Sequence, residues 1–283
     1  MYESTYEMVL RELETELQPP KTTMSSTTLV RGQGTKILLL NPNSSSAMTD
    51  DMKTILRDID LPFSTEVYTY TGPSGCPASI NDGHDIQQST NAVLADFDAV
   101  GSYDGIVVAC FSVHPLVPKL QSLSGPHGAV TGIFEASVLA AISLLGPGQK
   151  WGIVTTGKFW EDHLSNGVKA FLGASPKDDN AKFASVQSTG LNAGDFHHGV
   201  DPAVVREKLK KATKRLLDAG EVHVIVMGCA GMAGLEAIIR EAAKEERDEE
   251  FAYSTLHVID GVRAGVIQID HMIRNQRLRP GKP

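Results

Sequence analysis

From Lys36 onward, short apolar runs bounded by Gly, Asn or Ser alternate with longer stretches of helical periodicity, and that alternation admits few folds. Strand, helix and next strand form a crossover unit, and repeated crossovers build a mainly parallel sheet covered by helices. The runs predict strands over 37–40, 66–70, 106–110, 151–155, 183–187, 222–227 and 256–259. Between them, 201–219 shows how a helix is specified. Asp201 can cap it and Pro202 suits its first turn. Val205, Leu209, Ala212 and Leu216 form one stripe, and Gly220 ends it. The basic run Lys208, Lys210, Lys211, Lys214 and Arg215 falls on the other face, where a solvated surface is expected. The charged run 244–250 takes the same reading. Near 146–148 the stretch LGPGQK separates a helix from a strand, and near 249 a charged stretch gives way to another. Both are candidate lobe boundaries.

With 283 residues the chain has room for one large α/β domain or two lobes. A net charge of −8 gives no electrostatic footprint for nucleic acid or an anionic membrane surface, so a small molecule is the expected partner. A core this size needs no disulfide staples, and the 3 cysteines point to a reducing compartment. Glu3, Glu7, Glu12, Glu14 and Glu16 are unlike a signal or transit peptide, and the expected location is cytoplasmic. Tyr6, Val9, Leu10, Leu13 and Leu17 predict an amphipathic helix stopped by Pro19 and Pro20. A Ser/Thr-rich linker then runs to about Gly34. That helix is expected to pack on the body or on a partner subunit.

Two strand ends look alike. DGIVVACFS presents Cys110 and VHVIVMGCAG presents Cys229. In open parallel sheets ligands sit beyond the carboxyl ends of strands, so both thiols are expected at cleft edges. Amides at a strand-to-helix junction favour a thiolate and lower its pKa. A carbon acid between one thiolate and one thiol loses its proton on one face and regains one on the other, which inverts the carbon. A lone cysteine is more often a small buried hydrophobe; two in matching settings favour chemistry. Cys76, in GPSGCPAS, lacks a preceding strand and is expected to be incidental. A third element, NPNSSSAMT after the first strand, offers Asn41, Asn43 and Ser44 to Ser46 either as donors to substrate oxygens or as an ordinary capped turn. GxG before the first strand and GCAGMAG after another do not match nucleotide-binding loops. The adjacent His197 and His198 lack zinc-type spacing, and no metal is expected.

The strings ILLLNPNSSSAMT, GPSGCPASI, IVVACFS, GIFEAS, GIVTT, VIVMGCAGM and VIDGVRAGV occur in this order. Together they resemble the hydantoin and allantoin racemase family of the aspartate/glutamate racemase superfamily. The resemblance spans about 36–266 and leaves the N-terminal helix outside. It implies an α/β fold of two similar Rossmann-like lobes with mainly parallel sheets, related by a pseudo-twofold, with the active site in the cleft between them. It further implies an N-terminal extension over 1–34, a first lobe of 35–147 plus 255–278, and a second of 148–254. Cys110 and Cys229 would then be the opposed acid and base, with no cofactor and no metal. Asn43, Ser44, Phe111, Ser112, Thr155, Ala230 and Gly231 would contact the substrate. Homo-oligomers are also implied, with no nucleic-acid or membrane partner.

One departure stands out. Bacterial relatives tend to have ACFxDPGL where this chain has Cys110, Phe111, Ser112, Val113, His114, Pro115 and Leu116. Val113 replaces an acid and an imidazole follows it. His114 could contact a ligand or orient Cys110; a surface or helix-capping histidine is the alternative. The expected function is racemisation of a 5-substituted hydantoin or allantoin, whose ring carbonyl accepts the charge left on deprotonation. The alternatives are another superfamily isomerase, decarboxylase or biosynthetic enzyme using one cysteine, or a non-catalytic binding protein.

Overall fold

The computed structural model describes residues 34–62, 64–125, 128–175, 177, 180–196 and 199–278. The expected N-terminal helix, and His197 and His198, lie outside these residues. The first half runs β1 (Thr35–Asn41), α1 (Ser46–Leu56), β2 (Thr65–Thr71), α2 (Gly83–Asp96), β3 (Gly105–Val108), α3 (Leu116–Ser124), β4 (Ala129–Gly132) and α4 (Ile133–Ser143). The second half follows as β5 (Lys150–Thr155), α5 (Phe159–Phe171), β6 (Phe183–Ser188), α6 (Pro202–Leu217), β7 (Val222–Gly228), α7 (Glu236–Glu246), β8 (His257–Asp260) and α8 (Gly261–Arg277).

The strands form two four-stranded sheets, ordered β2-β1-β3-β4 and β6-β5-β7-β8, and every pairing is parallel. The order in one half repeats in the other, so each half is a Rossmann-like α/β lobe. The central strands are uniformly apolar because helices cover both faces: Ile37 to Leu40 and Ile106 to Val108 are all buried. One core runs between the sheets, joining Ile37, Leu39 and Val107 to Trp151, Val224 and Val226. α4 and α8 supply the layer between them, since each touches strands of both sheets.

Three expectations change. β4 was not foreseen in the sequence; its four residues AVTG are all buried, and its last residue leads directly into α4, which leaves no boundary to see. The strand expected to reach 110 ends at Val108, which frees Cys110 from the ladder. The final strand does not return to the first lobe: β8 pairs with β7 from Val224↔His257 to Met227↔Asp260. β7 had an open edge, and α7 makes the crossover to it. Only α8 turns back, packing on β1, β3, β4 and α4. Glycine permits that approach, because a Cβ on Gly265 would lie 2.7 Å from Val107 and 3.0 Å from Ile133.

α6 follows the expected signals. Asp201 accepts a hydrogen bond from the Ala203 N–H at 2.8 Å, Pro202 begins the helix, and Gly220 beyond its end has φ +115°. Its basic face is not merely solvated. Arg206 and Lys210 pair with Glu241, and Lys214 reaches Glu245 at 3.1 Å, so the two charged runs meet between α6 and α7. Among the described residues, no helix is long and apolar enough to cross a membrane.

Candidate active site

The carboxyl ends of β1, β3, β5 and β7 deliver their following residues to one cleft. About 380 Å³ of unfilled space, counting its mouth, is lined by Asn43, Met48, Ile80, Ala109, Cys110, Phe111, Thr156, Trp160, Ala193 and 228–231. Cys110 and Cys229 therefore face one cavity from different sheets. None of these lining side chains is charged.

The loop after β1 is built before it meets a ligand. The amide of Asn41, fully buried, donates to Asn43 Oδ1 at 3.0 Å and to Thr49 Oγ1 at 3.0 Å. Ser45 N–H also donates to Asn43 Oδ1, at 2.9 Å. The Asn43 oxygen is thereby occupied, while its NH₂ points toward the thioether of Met48, a weak acceptor, at 3.3 Å. Asn43 can offer a donor to a substrate oxygen. Ser45 caps α1, accepting from Met48 N–H at 3.2 Å. The capped-turn reading applies to Ser45, while the Asn43 NH₂ keeps donor capacity at the cleft.

Several sequence-derived site residues fall elsewhere. Thr155 does not line the cleft; it is fully buried and its hydroxyl donates to Gly228 O at 2.8 Å. Alternation along the strand brings the next residue, Thr156, to the cavity. Ser44 is outside the lining, with its N–H donated to Pro77 O at 3.0 Å. Ser112 is buried beneath the wall, and its hydroxyl donates to Cys110 Sγ at 3.3 Å, so it addresses the thiol directly. Met48, Ile80 and Trp160 were missed because each reads as ordinary core. Trp160 lies in the first turn of α5, edge-on to Phe159. Its position just before an acidic pair carried no signal of a cleft.

The thiols also differ from expectation. Burial pushes Cys110 up to about 12, against the opposing hydrogen bond from Ser112, and the neighbouring Cys229 adds to the rise. Burial pushes Cys229 up to about 11, moderated by the amides of Gly231 and Met232. Cys229 Sγ accepts from Gly231 N–H at 3.3 Å. Desolvation outweighs the amides because those after Cys229 belong to a three-residue turn, and the helix after Cys110 starts only at Leu116. Burial thus favours the neutral form of both thiols at neutral pH. Cys76 is separate: its thiol is buried, lies against Ser89 O at 4.0 Å, and is absent from the cleft lining.

His114 is neither a surface residue nor part of the lining. It is buried, and its Nδ1 accepts from Leu116 N–H at 3.2 Å, capping α3. Asp82, His84 and Asp85 cluster at the exposed start of α2. The Asp82 carboxylate there accepts from the N–H groups of His84 and Asp85 at 2.9 and 3.0 Å, as a helix cap.

Residues 37–269 match the family model described as Asp/Glu/Hydantoin racemase. The chain belongs to that family. As a member of the Asp/Glu/hydantoin racemase family it is an isomerase of the racemase type. An uncharacterised Schizosaccharomyces pombe protein is 32% identical over 84% of this chain and 92% of its own length. A hydantoin racemase from Paenarthrobacter aurescens is 27% identical over 70% of this chain and 79% of its own. Among solved structures, allantoin racemase from Klebsiella pneumoniae superposes with a TM-score of 0.68 at 24% identity, covering 88% of this chain and 95% of that one. That likeness shows the fold.

Proposed function

We propose that this protein racemises a neutral cyclic ureide, a 5-substituted hydantoin or allantoin, with Cys110 and Cys229 moving protons on opposite faces of the ring carbon. The observation that carries this reading is that both thiols line one cleft, with no charged side chain among the described residues of its wall. A carboxylate substrate brings a full negative charge that this wall could meet only with neutral donors; a ureide brings only amides and carbonyls, which such donors match. Its ring carbonyl takes up charge as the carbon loses its proton, and the Asn43 amide, the Thr156 hydroxyl and the Ala230 N–H are the donors at hand. Met48, Ile80, Phe111 and Trp160 supply an apolar wall that excludes water and strengthens those donors. No cofactor is required, because the substrate itself delocalises the charge. Thr155, buried on Gly228, and Ser44 are proposed to shape the strand ends and not to touch substrate.

Optical rotation tests this on single enantiomers of allantoin, several 5-alkyl and 5-aryl hydantoins, glutamate and aspartate, with no cofactor added. Decay of rotation for at least one ureide and none for the amino acids is expected. Racemisation of an acidic amino acid alone would overturn the reading of the cleft. A covalent adduct on one cysteine, with turnover surviving loss of the other, would select the single-cysteine alternative.

A further inference from the structure

His114 and Ser89 belong to neither the lining nor the thiols, yet both are buried, at 2% and 0% exposure. Because Nδ1 of His114 accepts the Leu116 N–H, a neutral ring carries its proton on Nε2. Nε2 faces Ser89 Oγ at 3.5 Å. The serine's own proton is committed to Pro42 O at 2.6 Å, leaving only lone pairs for the ring. Donors and acceptors therefore run in one direction, from Leu116 N–H through the imidazole and the Ser89 hydroxyl to the Pro42 carbonyl. Burial, with His163 nearby, holds His114 down at about 4, so the ring is neutral at physiological pH.

The two ends of this relay lie in different site loops. His114 is in the loop that carries Cys110, and Pro42 is bonded to Asn43. We infer that His114 is a positioning residue that, relayed through Ser89 of α2 to Pro42, fixes the Cys110 loop against the Asn43 loop. The inference rests on the two-thiol reading, in which Asn43 holds a substrate oxygen while Cys110 meets the ring carbon. A displacement of about 1 Å between such groups costs on the order of a hundredfold in rate. The imidazole thereby joins two site loops that the ladder between β1 and β3 releases at Leu40 and Val108.

Ser89→Ala removes the middle of the relay and leaves the cap on Leu116. His114→Asn keeps an acceptor near Leu116 but is too short to reach Ser89. Each is expected to lower kcat about ten- to a hundredfold and raise KM, and the double variant should be no worse than the more damaged single one. Deuterium exchange relative to inversion should change for the enantiomer whose proton Cys110 removes and stay constant for the other. A merely structural role would lower Tm and leave that ratio equal for both hands. Unchanged kcat, KM and exchange ratio in Ser89→Ala, with wild-type enzyme inverting normally, would overturn the relay. A wild type that fails to invert would instead remove the reading beneath it. If neither variant folds, ¹⁵N NMR of histidine in the intact wild-type protein decides: a neutral His114 protonated at Nε2 supports the relay, and protonation at Nδ1 refutes it.

Discussion

Cys110→Ser and Cys229→Ser are each expected to reduce inversion by about a thousandfold or more, within the range that loss of a positioned acid or base produces. Oxygen replaces sulfur with little change of shape, so the effect is chemical: a hydroxyl is a far weaker acid than a thiol and cannot supply the base. The two variants should nevertheless differ. Removing one thiol leaves the other able to abstract a proton from one hand of the substrate and return a deuteron to the same face. Each variant should then exchange one enantiomer without inverting it, and the two should select opposite hands. The double variant should lose both exchanges. Cys76→Ser is the control, since its sulfur is outside the cleft against Ser89 O; inversion per folded molecule should be unchanged. Chiral chromatography with mass detection reads all of these quantities, and full racemisation by both single variants would refute the assignment.

The second large effect is on pH. With Cys229 at about 11 and Cys110 at about 12, a thiol near 11 is only about one part in ten thousand ionised at pH 7. If the reactive form is the singly ionised pair, kcat/KM should rise about tenfold per pH unit from about pH 7 to 10, with no plateau near the ordinary thiol value of 9.0. Glu135, which burial pushes up to about 7, adds charge near Cys110 in the lower part of this window and opposes ionisation of that thiol. Stability should move the other way. Both folded values exceed the ordinary thiol value of 9.0. Below about 9 the thiols are neutral in both states and cost nothing. Above it the unfolded chain ionises first, so stability falls until the folded thiols ionise at about 11 to 12. A plateau in kcat/KM near pH ~8, or slow alkylation that fails to accelerate with pH, would contradict this.

Much of the fold was legible because buried parallel strands are written as apolar runs, and seven such runs correspond to strands found in the two sheets. β4 escaped because AVTG is too short and too small to stand out, and β8 was misplaced because periodicity carries no information about partners. The twin cysteines were visible as repeated strand ends. Thr156 was missed by one residue, since the strand's last member and the first beyond it look identical in a Thr-Thr pair while pointing opposite ways. The elevated thiols were illegible for a different reason. A sequence shows which amides follow a cysteine but not how much water the walls around it exclude. Met48, Ile80 and Trp160 are apolar residues that could equally have filled a core, and only the tertiary arrangement turns them into a wall.

The most direct test starts from one pure enantiomer of an active ureide in deuterium oxide and follows the first turnovers by chiral separation and mass spectrometry. If two sulfurs work from opposite faces, newly formed product should be fully deuterated while remaining substrate stays protonated, and the optical signal should overshoot zero before settling. Equal deuterium in both hands from the earliest points, with no overshoot, would mean that a single group serves both faces, and the opposed-thiol mechanism would be wrong.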